Sequence, residues 1–234
     1  MSLLRTHLFI AAAVALGSPD VVGGEHVITD SKRMILVPGG TIVNEAGREL
    51  SAYSFLISAS EVTWGTWSQV RTAADDRGYD IGDRGAGLDP DDPVHSITWY
   101  DVIKWCNLRS EIAGRTPAYW VGDHVYREGI KPDVSVKQAA DGYRLLTDAE
   151  WEFAVRQAEQ GVPARSEAAA DMSANMWEWC FDLHPGCEAD GRVVRGGRQS
   201  NLEIHCRIGL RGSYRPDEAS DRIGFRVVLP ASDD

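Results

Sequence analysis

Five soft or borderline metal-ligand side chains gather in two short stretches late in the sequence: Cys180, His184 and Cys187, then His205 and Cys206. Thiolate and imidazole groups in that combination suit tetrahedral zinc or copper. No Cys-x2-Cys spacing draws them tight, so a plainer reading is preferred: one disulfide among Cys180, Cys187 and Cys206, with two surface histidines. The fourth cysteine, Cys106, falls on an apolar helical stripe and reads as an unpaired core residue. Four cysteines allow three pairings, and spacing does not choose among them. Hard oxygen donors are dense elsewhere, in residues 75–93, whose aspartates sit at alternating places. They lack the twelve-residue calcium-loop pattern and its closing glutamate, and so read as a solvated surface loop. The sequence holds no Gly-rich phosphate loop, no Gly-x-Ser-x-Gly elbow and no two-histidine zinc-protease motif.

The elements that must position these groups are short. Met34 to Val37 is an apolar strand stopped by Pro38 and two glycines, and Tyr53 to Ile57 reads as the next strand. Thr63 can cap a helix entered at Trp64. A second helix starts at Thr98; Trp99, Val102, Ile103 and Cys106 lie on one face, Asp101 is in the first turn, and Gly114 with Thr116-Pro117 ends it. Residues 119–141 suggest a hairpin or an irregular excursion. Thr147 and Glu150 form a capping box for a third helix, with Trp151, Val155 and Ala158 inside and Gly161 at its C-terminal end. Beyond Asn175 the pattern changes to short strands: Val193-Val194 leads into Arg195-Gly-Gly197, and Ile223, Phe225 and Val227 alternate as a half-buried strand. Two or three helices among many short strands indicate an α+β fold.

Composition limits the partners. The 234 residues carry a net charge of -11, with four lysines against twenty arginines. Phosphate-directed binding to nucleic acid needs the opposite balance. Leu8 to Leu16 is an unbroken apolar run after Arg5, with Ala15 and Gly17 small enough for cleavage. This predicts a secretory signal peptide over 1–17, too short to span a bilayer and followed by no cysteine for a lipid anchor. The mature chain is thus expected in the periplasm or outside the cell, where disulfides persist.

Seven boxes in order carry a family resemblance: Pro38-Gly-Gly40; Glu61-Val-Thr-Trp64; Pro93-Val with Thr98-Trp-Tyr-Asp101; Tyr143-Arg-Leu-Leu-Thr-Asp-Ala-Glu-Trp-Glu152; Asn175-Met-Trp-Glu-Trp179; Arg195-Gly-Gly197; and Gly224-Phe-Arg226. Together they resemble the formylglycine-generating enzyme (sulfatase-modifying factor) family, from about Met34 to Leu229. The resemblance implies a compact C-type-lectin-like fold, low in regular secondary structure, over 34–230. Residues 18–33 would then be a linker and 231–234 an acidic tail.

The same resemblance implies a copper oxidase site built on two cysteines five positions apart, shortly after the Gly-Gly box. Here Arg198 to Arg211 holds one cysteine, Cys206, and Asn201 stands five positions before it. Registering the stretch from Arg211 and Pro216 instead puts neither family cysteine on Cys206. Arg198 also replaces the serine that normally follows Gly-Gly. Copper is therefore not expected, and Cys206 is the one catalytic candidate that remains. A structural calcium ion is the more defensible cofactor that the resemblance implies, held by Asn175, the Met176 carbonyl and Glu178. The alternative for Glu178 is a buried ion pair with an arginine such as Arg195 or Arg211. Trp151, Trp177, Trp179, Arg195, Gly196, Gly197 and Arg211 are expected to be structural. The leading expectation is an exported, monomeric binding or accessory module for an unidentified protein or small molecule. The competing one is a divergent metal-dependent oxidase of a protein cysteine or small molecule.

Overall fold

Threonine side chains start three helices where the sequence places them. In the computed structural model, which describes residues 20–22, 26–28, 34–44, 47–159, 172, 176–186, 190–197 and 210–231, Thr63 accepts the Thr66 N–H ahead of α1 (Trp64–Arg71). Thr98 accepts the Asp101 N–H, and the Asp101 carboxylate returns to the Thr98 N–H, closing a capping box on α2 (Trp99–Ile112). Thr147 and Glu150 make the same reciprocal pair for α3 (Asp148–Glu159). Each cap satisfies donors that a helix start leaves orphaned.

The strands run β1 (Asp20–Val22), β2 (His26–Ile28), β3 (Met34–Val37), β4 (Gly40–Val43), β5 (Glu49–Ala52) and β6 (Phe55–Ser58) before α1. Between α2 and α3 lie β7 (Tyr119–Val121), β8 (His124–Val125) and β9 (Ser135–Val136). After α3 come β10 (Trp177–Leu183), β11 (Arg192–Gly196), β12 (Gly212–Tyr214), β13 (Ile223–Gly224) and β14 (Val228–Pro230). They assemble as small sheets ordered β12-β11-β10-β13, β14-β6-β3, β8-β7-β9, β4-β5 and β1-β2. All pairings are antiparallel except β10 with β13.

α2 is the axis of the core. The sequence predicts one apolar face, yet every residue of the helix except Glu111 is buried. Its polar side chains are enclosed because neighbours satisfy them. Asn107 donates to the carbonyls of Tyr119 and Tyr126 and accepts the Tyr119 N–H, tying β7 to the helix. The Ser110 hydroxyl bonds the Cys106 carbonyl, and Arg109 lies 5.0 Å from the Tyr143 ring centre. Trp105 stacks on Trp67 at 5.8 Å, and Phe225 meets both edge-on.

Phe225 explains one departure from the sequence reading. Ile223, Phe225 and Val227 are buried, but so are Gly224 and Arg226 between them. The segment is wedged among the layers rather than half-exposed, and its strands are the separate β13 and β14. A second departure is β5, hidden because Glu49-Leu-Ser-Ala buries only Leu50. Tyr53 then stands in the turn to β6 and is 96% exposed. The 75–93 loop is also less solvated than expected. Tyr79 and Ile81 enter the core, and Trp67 Nε1 donates to the Arg84 carbonyl.

Candidate functional site

The two Trp-Glu boxes meet at the centre of the molecule. β10 pairs with β11 so that Trp177, Glu178 and Trp179 lie opposite Gly196, Arg195 and Val194. Glu178, 1% exposed, accepts from Trp151 Nε1 at 2.9 Å on one oxygen and from Arg226 Nε at 2.9 Å on the other. Arg226, fully buried, also donates to the Ser58 carbonyl at 3.0 Å and lies 3.6 Å from Glu61.

A second ionic cluster lies across the Trp151 ring. Arg195 reaches Asp148 at 2.6 Å, Glu152 at 2.7 Å and the Leu210 carbonyl at 3.0 Å, while Arg211 reaches Asp148 at 2.6 Å and Glu152 at 3.3 Å. The second Glu152 oxygen takes Arg156 at 3.1 Å and Asn44 at 3.2 Å. Trp151 divides the clusters: its N–H serves Glu178, and Arg195 lies 5.2 Å from its ring centre.

Glu178 thus pairs with Arg226, an arginine other than the Arg195 and Arg211 that the sequence offers as examples. The register puts Arg195 beside Glu178, but the two carboxylates of α3 hold it. Asp148, Glu152 and Arg156 recur at i, i+4 and i+8, one helix face turned toward β11. That spacing is the signal that could have revealed the cluster, and Arg226 already stands in the Gly224-Phe-Arg226 box.

Both glycines after Arg195 are required. Gly196 and Gly197 have φ +74° and +79°, where L side chains are strained. A Cβ on Gly196 would clash with the Met172 carbonyl, and one on Gly197 would meet the Trp177 ring at 2.6 Å. Trp151 and Trp179 are buried as expected, whereas Trp177 is only partly covered.

The described part of the calcium set does not fit that ion. Both Glu178 oxygens already accept strong donors, and the guanidinium beside them would repel a dication. Met176 lies in the connection to β10; Asn175 is outside the described residues. Of the soft-ligand group, Cys180 is fully buried and free, which removes it from the expected disulfide set. Burial pushes its thiol well up, and that of Cys106 likewise, so neither supplies a thiolate at neutral pH. Cys187, His205 and Cys206, the catalytic candidate, lie outside the described residues, as do the segments 1–17, 160–171 and 198–209.

The acids of α3 carry a pH signature. Burial opposes ionisation of Glu150 and Glu152, but the hydrogen bonds and charge of Arg144 on the first, and of Arg195 and then Arg156 on the second, outweigh it. Both carboxyls are held below their ordinary value, so their stabilisation is present above the unfolded value and lost as pH falls through the folded one. Asp182, pushed up by burial, works in the opposite sense. The thermal midpoint is expected to fall on acidification below about pH 4.5, and Glu152→Gln to flatten that fall. A midpoint that rises over this range would contradict the pairing.

Residues 21–166 and 162–231 match the sulfatase-modifying factor enzyme 1-like domain. The chain belongs to this family. Over 94% of its length it is 28% identical to the chaperone protein LppX of Paenibacillus barcinonensis, covering 96% of that protein. It is 23% identical to the inactive C-alpha-formylglycine-generating enzyme 2 of Bos taurus over 59% of the chain. It is 26% identical to the formylglycine-generating enzyme of Streptomyces coelicolor over 61%. The last two matches span about half of those proteins, 50% and 54%. Among solved structures, CarF superposes with a TM-score of 0.71 at 21% identity, over 85% of this chain and 98% of that one. The fold is thus the C-type-lectin-like fold of the sulfatase-modifying factor family. In this member the Trp-Glu boxes, together with Arg195 and Arg226, are ionic cross-links between α3, β10, β11 and the segment before β14.

Proposed function

We propose that this sulfatase-modifying factor domain is an exported binding or accessory module for a protein client, without the family's copper-cysteine oxidase chemistry. The single observation that carries this reading is the segment from Arg198 to Arg211, which contains Cys206 and no second cysteine. One thiolate cannot form the two-sulfur site that selects Cu(I). The hydrogen-bonded, arginine-paired carboxylates of Glu178, Glu152 and Asp148 support it, since carboxylates already accepting two to four donors are poor general bases. The full-length similarity to a protein named as a chaperone supports an accessory role. The apolar run from Leu8 to Leu16 supports export. No helix among the described residues is long and apolar enough to cross a membrane.

Calcium has no place in this proposal, because Glu178 works as the counter-ion of Arg226. The test of the whole reading is incubation of the mature protein with copper, oxygen and a Cys-x-Pro-x-Arg peptide, read by mass spectrometry. No aldehyde product is expected. Turnover that Cys206→Ser abolishes would overturn the proposal in favour of a divergent oxidase.

A further inference from the structure

The fold takes two of the four cysteines out of disulfide chemistry. Cys106 on α2 and Cys180 on β10 are both free and 0% exposed. They belong to different parts of the core, Cys106 with Trp105 and Leu145, and Cys180 with Phe153 and Val228. Burial keeps both thiols protonated, and it is the thiolate that attacks a disulfide. Cys187 and Cys206 are left, an even pair in a chain proposed to be exported.

The strand registers anchor the two connections that carry this pair to one sheet. Cys187 stands between β10 and β11, three positions after His184, whose N–H donates to the Gly191 carbonyl. Cys206 stands between β11 and β12, six positions before Gly212, which lies opposite Val194. Gly191 and Val194 are three residues apart along the central strand, so His184 and Gly212 are anchored about 14 Å from each other. The nine residues that lead from these anchors to the two cysteines span up to about 30 Å when extended. Chain length therefore permits the Cα approach of about 5.5–6 Å that a disulfide needs.

We propose that Cys187 and Cys206 are joined in the one disulfide of the mature protein. The bridge closes a loop of 20 residues that contains β11 and Arg195. It also occupies Cys206, the remaining catalytic candidate. Its formation is two exchange steps with a disulfide-bearing oxidant. One cysteine thiolate attacks that oxidant, breaking its S–S bond and releasing a thiolate. The other cysteine thiolate attacks the mixed disulfide, forming the internal S–S bond and releasing the second. The protein gives up two protons and two electrons, and the oxidant leaves as a dithiol. This rests on the exported reading above and assigns the state of its thiols.

The test expresses the full chain, residues 1–17 included, in a secreting bacterial host. Exported material is alkylated in denaturant and mapped by mass spectrometry without reduction. A peptide pair linking Cys187 to Cys206 is expected, with label on Cys106 and Cys180 alone. Reduction is expected to lower the thermal midpoint by on the order of 10 °C, the effect of releasing a loop of this length. The double variant Cys187→Ser/Cys206→Ser should lose that response. The peptide map needs no variant, so it decides the matter even if the serine protein fails to fold. Label on all four cysteines, a bridge that includes Cys106 or Cys180, a link between two copies, or a mixed disulfide with a small thiol would overturn the proposal. Retention in the cytoplasm with Met1 in place would instead defeat the export reading. The purified chain would then be mapped after incubation with glutathione disulfide, with the same outcomes for and against the bridge, so the two failures are distinct.

Discussion

Replacing Arg226 with alanine is expected to lower the unfolding free energy by about 3–5 kcal/mol, the cost of breaking a buried ion pair by removing one partner. The argument is one of desolvation. Glu178 and Glu61 are each 1% exposed, and Arg226 is fully buried between them and the Ser58 carbonyl. Truncation strips the guanidinium from two carboxylates that water does not reach. A urea titration should show the midpoint falling at unchanged slope, the mark of a stability change without loss of compactness. The double variant Glu178→Gln/Arg226→Met should cost less than the sum of its parts, because charge leaves together with counter-charge. A loss below about 1 kcal/mol, the scale of exposed pairs, would mean that solvent enters this cluster. The same titration decides the calcium question. With Glu178 committed to Arg226, a chelator should leave the midpoint of the unmutated protein where it is. A chelator-sensitive midpoint that Glu178→Gln abolishes would restore the ion.

Much of the fold was legible because its signals are local. Thr63, the Thr98–Asp101 pair and the Thr147–Glu150 pair act within one helical turn, so the sequence alone locates the helix starts. The ordered boxes led to the family for the same reason. What could not be read was decided across the chain. Glu178 meets Arg226 at a separation of 48 residues, and Arg195 meets Glu152 at 43. Charge alone made Arg195 and Arg211 equally good partners for Glu178. Only the placement of the Trp151 ring, with Glu178 at its edge and Arg195 near its face, separates the two clusters. Helix burial goes beyond the single apolar face that the sequence marks: bonds from Asn107 to β7 and from Ser110 to the helix's own backbone let these polar side chains be enclosed.

Arg195→Leu is expected to destabilise on the same scale as the loss of Arg226, about 3–5 kcal/mol, and Arg195→Lys to recover only part of it. Arg195 is fully buried and spends three donors in three directions, on Asp148, Glu152 and the Leu210 carbonyl. A lysine ammonium has three donors but a single centre, and cannot span two carboxylates as the planar fork does. Losing one or two charge-assisted bonds at about 1.5–3 kcal/mol each leaves the lysine variant well below the parent. Arg211 is the internal control. It binds the same two acids from a side chain that is 22% exposed, so Arg211→Leu should cost clearly less, because water can replace part of what it supplies. Double-mutant cycles with Glu152→Gln separate the readings. Coupling should be strong for Arg195 and weak for Arg211, if burial rather than distance sets the strength of each pair. Equal coupling would mean that both arginines hold α3 with the same force, and the cluster would then have to be treated as one delocalised network rather than a buried pair with a solvated companion.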